Sequence, residues 1–128
     1  MIIKDKYYQT LNIPAGYFGL VTMTTQAGFE IEVSIVDAKT GNSLFHEVRK
    51  STNPNPVITA QFLPANDNPE LIIRVEESAH LDVRYDEMNV TDEKGLLLSQ
   101  NYVFVAEDAT DKDYNDLYLS VAAWRYRN

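Results

Sequence analysis

The ten-residue segment 107–116, called the acidic segment below, is dense in side chains that could bind a cation. It reads EDATDKDYND, with five carboxylates and one lysine. Its net charge of −4 is half of the −8 carried by all 128 residues. Apolar runs that we predict to be strands flank it on both sides, so its carboxylates cannot drift apart as they would in a free tail.

Crowded carboxylates repel one another strongly. Two carboxylates about 5 Å apart repel by roughly 3 kcal/mol at an effective dielectric constant near 20, and four held in one segment repel by about 10–20 kcal/mol. A domain with a total stability of about 5–15 kcal/mol cannot hold such a cluster ionised and compact unaided. The segment must splay into water, protonate or bind cations. Because Asp and Asn recur at alternate positions, we favour cations such as Ca²⁺, which takes six to eight oxygen ligands.

Two common calcium motifs do not fit the acidic segment. An EF-hand counted from Asp111 would need glycine at position 6 and glutamate at position 12, where the chain has Asp116 and Ala122. Calcium-binding β-helix repeats are rich in glycine, and the whole chain has only five glycines. The acidic segment therefore requires another calcium-binding arrangement.

Apolar residues that alternate with polar ones predict strands along most of the chain. Phe29, Ile31, Val33 and Ile35 face one side of such a strand, with polar residues between them. Similar β-rich runs are 17–23, 44–48, 57–63, 71–75, 81–85, 102–105 and 117–126. Short turn sequences separate them, and no window has a convincing helical period. Eight or nine short strands predict an all-β domain, a sandwich or a barrel, spanning residues 1–128.

Composition excludes several classes of protein. An excess of acidic residues, 19 against 11 basic ones, disfavours binding to nucleic acid. The absence of cysteine excludes disulfides, thiolate metal sites and cysteine nucleophiles. No apolar run approaches the roughly 18 residues of a membrane span. The N-terminus lacks the pattern of a secretory signal, so we expect a protein that is cytoplasmic as synthesised, with any release or surface association by a non-classical route.

Nothing in the sequence predicts an enzyme. His46 and His80 stand 34 positions apart without partners at catalytic or metal-ligand spacing, and no serine lies in a G-x-S-x-G turn. Glycoside hydrolysis needs two carboxyl groups on opposite sides of a sugar ring. In this chain the carboxylates crowd a single segment, so a binding function is the better interpretation.

The acidic segment, followed by a strand and by Trp124 near the C-terminus, resembles the site of the calcium-mediated bacterial lectins. These small proteins hold two Ca²⁺ ions and bind fucose or mannose. The sequence Leu11-Asn12-Ile13-Pro14-Ala15, followed by Phe18-Gly19, looks like the opening strand of this family, and Thr25-Gln26-Ala27-Gly28 looks like its sugar-contacting loop. The resemblance implies a two-sheet antiparallel β-sandwich.

The resemblance also implies a role for each matching residue. The metal ligands would be the side chains of Glu107, Asp111, Asp113, Asn115 and Asp116, the backbone carbonyl of Thr25, and the C-terminal carboxylate of Asn128, which would reach a neighbouring subunit. Sugar contacts would come from Gln26, Ala27, Gly28, Asp108 and Asp111. Neighbouring sugar hydroxyls would coordinate both ions. The partners would be monosaccharides or glycans of the fucose or mannose type.

The chain departs from this family at its C-terminal residue and in the sugar-contacting loop. It ends at Asn128 rather than at glycine, and Gln26 and Ala27 stand where small hydroxyl residues are common. These departures keep a second hypothesis open, that of a calcium-stabilised structural or adhesion module without sugar binding. The resemblance further implies a homodimer or homotetramer, and the alternating Tyr118, Trp124 and Tyr126 predict an aromatic edge for strand pairing between subunits.

Overall fold

The described part of the chain consists of strands and their connections. The computed structural model describes residues 2–3, 6–51, 56–75, 81–107 and 116–125. None of these residues forms a helix of the length and apolar character needed to cross a membrane. The strands are β1 (Ile2–Ile3), β2 (Lys6–Thr10), β3 (Tyr17–Thr25), β4 (Ala27–Val36), β5 (Ser43–Ser51), β6 (Ile58–Phe62), β7 (Glu70–Val75), β8 (Asp82–Thr91), β9 (Leu97–Glu107) and β10 (Leu117–Arg125).

The strands form two five-stranded sheets. Sheet A has the order β1-β2-β7-β4-β5, and sheet B has the order β6-β3-β10-β9-β8. Every pairing in both sheets is antiparallel. The predicted all-β, two-sheet antiparallel sandwich is confirmed. The expected eight or nine strands correspond to the nine described strands that have five or more residues.

The core lies between the sheets and follows the alternation of the sequence. Ile31, Val33 and Ile35 on β4 are fully buried, as are Leu119 and Val121 on β10. Alternate residues of a strand point to opposite faces, so one face of each sheet can be apolar while the other meets water. Phe29 was predicted to face inward with its neighbours on β4. It is only partly buried, because the pairing of β4 with β5 is irregular between Ala27 and Ile31.

The opening strand lies earlier in the chain than the sequence indicated. Residues 11–15 are not a strand, and the interpretation of that stretch as an opening strand is wrong. Leu11 and Ile13 are fully buried in the connection between β2 and β3. The backbone of this connection bonds to another loop, since the Leu11 N–H donates to the carbonyl of Pro69 at 2.9 Å. Leu11 and Ile13, with the polar Asn12 between them, have the spacing of a strand, and this spacing explains the wrong prediction.

The last strand does not form an edge of its sheet. β10 lies between β3 and β9, so its backbone is paired on both sides. The prediction that Tyr118 and Trp124 lie on an edge strand that pairs with another subunit is therefore wrong. Both side chains instead lie on the outer face of sheet B, where Trp124 packs on Phe18 with a ring-centroid distance of 5.2 Å. Tyr126 lies outside the described residues.

Candidate functional site

Three strand ends meet where the acidic segment begins and ends. β9 ends at Glu107, β10 begins at Leu117, and β3 ends at Thr25. Leu117 lies opposite Thr25 on one side and opposite Ala106 on the other. Strand pairing therefore brings Thr25 and both ends of the acidic segment to the same end of sheet B.

Backbone hydrogen bonds fix Asp116 between the two neighbouring strands. The Asp116 N–H donates to the carbonyl oxygen of Ala106 at 3.2 Å, and the Asp116 carbonyl oxygen accepts from the Gln26 N–H at 3.0 Å. These two bonds continue the ladders of β10 by one residue beyond the strand. The predicted sugar contact Gln26 is thus joined directly to a predicted metal ligand.

Glu107 is a buried carboxylate, with only 1 % of its surface exposed. Removing a carboxylate from water is costly unless cations or hydrogen-bond donors compensate the charge. Asp82, the first residue of β8, lies directly opposite Glu107 in the β8–β9 pairing. Like charges in directly opposite positions destabilise a sheet. The Arg84 guanidinium, 3.3 Å from an Asp82 carboxylate oxygen, supplies one compensating charge.

Asp82 is a carboxylate of this region that no local sequence pattern indicates. It is 25 positions before Glu107 in the chain and stands alone among apolar and basic neighbours. Only the pairing of β8 with β9 brings it beside the acidic segment. The alternation of residues 81–85 predicted the strand that contains Asp82. No local sequence pattern indicated that this strand would pair with β9.

The predicted sugar-contacting residues occupy a tight connection rather than a loop. Gln26 alone separates β3 from β4, while Ala27 and Gly28 are the first residues of β4. Ala27 is buried, with 2 % of its surface exposed, so little of this residue is available to a ligand. Gly28 is exposed, and a Cβ atom placed on it would have no neighbour within 4 Å in the part of the chain that the structure describes. The surface beside Gln26 is therefore open at Gly28.

The rest of the predicted site lies outside the described residues. These positions are Asp108, Asp111, Asp113, Asn115 and Asn128. Within the described ranges, no cluster of three or more His, Asp or Glu side chains could hold a metal ion. The structure thus brings together Glu107, Asp116 and the Thr25–Gln26 link, and the complete ligand set stays a prediction.

A second buried carboxylate belongs to a turn at the other end of β4. Asp37 is 5 % exposed and accepts hydrogen bonds from the Asn66 amide and from the N–H groups of Lys39 and Thr40, at 2.8–2.9 Å. The Asn66 side chain first, and the backbone of Thr40 next, lower the pKa of Asp37. Since β4 runs from the site at Ala27 to Val36, Asp37 shapes the turn far from the site.

Comparisons with known proteins support these structural findings. A sequence model of the fucose-binding lectin II (PA-IIL) family matches residues 11–124. The fold is similar to the C-terminal domain of BC2L-C lectin from Burkholderia cenocepacia, with a TM-score of 0.69 and 19 % identity, over 95 % of this chain and 99 % of that one. Comparison with curated proteins finds no match.

Two further solved structures have the same fold. A high-affinity mannose-binding lectin from Ralstonia solanacearum has a TM-score of 0.69 and 15 % identity, over 92 % of this chain and 96 % of that one. Lectin CV2L from Chromobacterium violaceum, solved with α-methyl-fucoside, has a TM-score of 0.62 and 17 % identity, over 98 % of this chain and 100 % of that one.

The family match covers most of the chain, and the resemblance inferred from the acidic segment is confirmed. Lectins bind carbohydrates without transforming them, so the prediction of a non-enzymatic protein is confirmed as well. This chain is a member of the fucose-binding lectin II family.

Proposed function

We propose that this protein is a calcium-dependent lectin in which two Ca²⁺ ions coordinate hydroxyl groups of a fucose- or mannose-type sugar. The observation that carries the proposal is the meeting of Glu107, Asp116 and Thr25 at one end of sheet B. Two of the solved structures with this fold are a mannose-binding lectin and a lectin with a bound fucoside. Family membership supports carbohydrate binding as the general function.

The residues at this end of the sheet suit calcium. Hard cations prefer carboxylate, amide and carbonyl oxygens, and the predicted ligands contain no softer donor. Glu107 is a carboxylate already removed from water, which a cation can compensate. Asp111, Asp113, Asn115 and Asp116 would complete the set with the Thr25 carbonyl and the Asn128 carboxylate of a neighbouring subunit. The ions would supply positive charge and coordination positions for sugar hydroxyls.

The sugar would lie against the open surface beside the β3–β4 link. Gln26 would offer its side-chain amide, while the buried Ala27 would hold Gln26 and Gly28 in position on either side of it. Gly28 leaves open space for a sugar ring. Asp108 and Asp111 would accept hydrogen bonds from the sugar in this proposal.

Calorimetric titration tests the proposal. Methyl fucoside and methyl mannoside are titrated into the protein in calcium and again in excess chelator. We expect one sugar per chain in calcium and no binding in chelator. Asp113→Asn should abolish the response, whereas Glu93→Gln should not, since Glu93 is an exposed carboxylate in the turn at the opposite end of β8 and β9. Sugar binding that survives chelation would refute calcium dependence.

The second candidate function is a calcium-stabilised structural or adhesion module. The departures at Gln26 and Ala27 favour it, because both lie at positions that would contact the sugar. Calcium binding without a response to any sugar on a broad glycan array would identify this function instead.

Self-association is the final part of the proposal. Single monosaccharide sites bind weakly, and linked sites gain avidity without any new contact. We therefore expect a homodimer or homotetramer that presents several sites to one glycan surface or to several.

A further inference from the structure

A groove runs along one flank of the sandwich, between the edge strand β5 of sheet A and the segment that leads into the edge strand β6 of sheet B. Its volume is about 470 Å³, within the range of roughly 300–1,000 Å³ that is common for ligand pockets. Val48, Arg49 and Lys50 line it from β5, and Pro56, Val57 and Ile58 line it from the other side. The groove therefore has room for a sugar ring.

The groove begins beside the candidate sugar site. On the β5 side, Lys50 precedes Ser51, which lies opposite Ala27 in the β4–β5 pairing. On the other side, Ile58 lies opposite Met23, two positions before the last residue of β3. Both sides of the groove therefore reach the end of the sandwich at which β3 continues into β4.

An irregularity of β4 connects the two surfaces. Between Ala27 and Ile31, three residues of β4 lie opposite a single residue of β5, Lys50. Extra residues of this kind bend a strand and redirect its side chains, and they are frequent next to functional sites. Gly28 is the first of the three, is exposed, and has no side chain to stand between Gln26 and Lys50. The open surface beside Gln26 therefore continues past Gly28 toward the groove.

The groove is basic although the protein is acidic. Its described lining has two cationic side chains and no carboxylate, in a chain with a net charge of −8. Arg49 lies 3.3 Å from a Glu47 carboxylate oxygen, which offsets part of its charge. Lys50 is exposed, and within the described ranges no carboxylate forms an ion pair with it. Lys50 is therefore the cation of the groove that is best placed to pair with an anionic ligand.

The side of the groove that faces these cations is apolar. Val57 is 60 % exposed and Pro56 is also exposed, whereas Ile58 is partly buried and packs against the core. Ligand pockets typically combine an apolar lining with a few charged or polar groups that fix the orientation of the ligand. An acidic sugar matches this combination, because its ring has apolar C–H faces and its carboxylate projects from the edge of the ring.

We infer that the groove binds an acidic sugar residue, such as a uronic acid, that is joined to the fucose- or mannose-type residue at the calcium site. This inference rests on the proposed function and specifies its ligand class as acidic glycans. Two Ca²⁺ ions would offset the net charge of −4 of the acidic segment. Arg49 and Lys50 would then supply the charge that distinguishes acidic from neutral glycans, with the sugar carboxylate beside Lys50 and the ring against Val57.

Matched pairs of disaccharides test the inference. Fucosyl and mannosyl disaccharides are prepared with glucose and with glucuronic acid as the second residue, linked through its 2-, 3- or 4-hydroxyl group. The members of a pair differ only by a CH₂OH group in place of a carboxylate. In calorimetric titrations in calcium, the acidic member should bind about threefold to tenfold more tightly for at least one linkage, the scale of one or two partly exposed ion pairs. Added sodium chloride should reduce this ratio because it screens exposed charges.

Substitutions in the groove test which residues cause the preference. Lys50→Gln should bring the ratio of the two affinities close to one, whereas Lys50→Arg should preserve it. Arg49→Gln should reduce the ratio less, because Glu47 already offsets part of the Arg49 charge. The matched control is Lys39→Gln, which removes an exposed cation from the turn at the opposite end of β4 and should leave the ratio unchanged. Urea unfolding confirms that each variant is folded.

The outcomes separate this inference from the proposed function. Equal affinity for the two members of every pair would overturn this inference alone, as would binding of methyl fucoside or methyl mannoside without binding of any disaccharide. A preference for the acidic member that survives in Lys50→Gln/Arg49→Gln would also overturn it, since the carboxylate would then lie elsewhere. Failure of every sugar, the methyl glycosides included, to bind in calcium would refute the proposed function and this inference with it.

Discussion

The backbone N–H of Gln26 donates a hydrogen bond to the carbonyl oxygen of Asp116 at 3.0 Å. This bond joins the link between β3 and β4 to the last residue of the acidic segment. Gln26 is a predicted sugar contact, and Asp116 is a predicted metal ligand. A cation that orders Asp116 would therefore also order the backbone against which the sugar would lie.

Calcium should raise the thermal stability of the protein. A ligand that binds only the folded state stabilises it by about 2.7 kcal/mol at a concentration one hundred times its dissociation constant, for each independent site. Differential scanning calorimetry with calcium and with excess chelator measures the effect, and magnesium serves as the control cation. A melting curve that is the same with calcium and after exhaustive chelation would contradict every calcium-based proposal.

Glu107→Gln should weaken calcium binding. The substitution keeps nearly the same volume at a position with 1 % exposure but removes the negative charge. We expect calcium affinity to fall at least about tenfold, the scale found even for groups one shell outside a metal. Calcium titration by calorimetry measures the change, and unfolding in chelator reports separately on packing. The control Glu93→Gln removes a charge far from the site. Unchanged calcium affinity in Glu107→Gln would exclude Glu107 as a ligand.

The turn around Asp37 should lose stability in acid. Hydrogen bonds from Asn66 and from the backbone lower the pKa of Asp37 below its ordinary value of 3.8. A group with a lowered folded-state pKa stabilises the protein above its unfolded-state pKa, and this contribution is lost as the pH falls through the folded-state pKa. The wild type should therefore be more stable than Asp37→Asn at neutral pH. The difference between their free energies of unfolding should become smaller as the pH falls below about 4. Urea unfolding across this range measures it, and a constant difference between the two proteins would contradict the prediction.

Gly19→Ala should destabilise sheet B. Gly19 on β3 lies opposite Phe62 on β6, and a Cβ atom on Gly19 would overlap the Phe62 ring. Overpacking of this kind costs about 1–3 kcal/mol in free energy of unfolding. The double variant Gly19→Ala/Phe62→Leu should recover part of the loss, since the smaller side chain removes the ring. Equal stability of Gly19→Ala and the wild type in urea would refute the overlap.

Gly28→Ala is the matched glycine substitution at the candidate site. Its Cβ atom would enter open space, so the free energy of unfolding should stay within about 0.5 kcal/mol of the wild type. If a sugar ring lies against Gly28, the added methyl group should still weaken fucoside or mannoside binding. Unchanged sugar affinity, measured by calorimetry, would remove Gly28 from the proposed site.

Local sequence patterns identified most strands and the two ends of the acidic segment. The alternation over 29–35 and 71–75 shows which residues share a face of each strand, because successive side chains of a strand point in opposite directions. This assignment does not depend on which strands pair with it. Local patterns failed at residues 11–15, where a buried connection has the apolar spacing of a strand. They also missed β2, in which Tyr7 is the one buried residue.

The sequence by itself determined that the protein is an all-β domain with a cation-binding composition in residues 107–116, since both follow from residue types and short-range spacing. Only the tertiary structure decided that Leu117 lies opposite Thr25, that Asp82 faces Glu107, and that β8 rather than β10 is an edge of sheet B. Alternation specifies which residues share a face of a strand. Which strand lies beside it depends on pairings between distant parts of the chain, and these form only as the two sheets close over a common core.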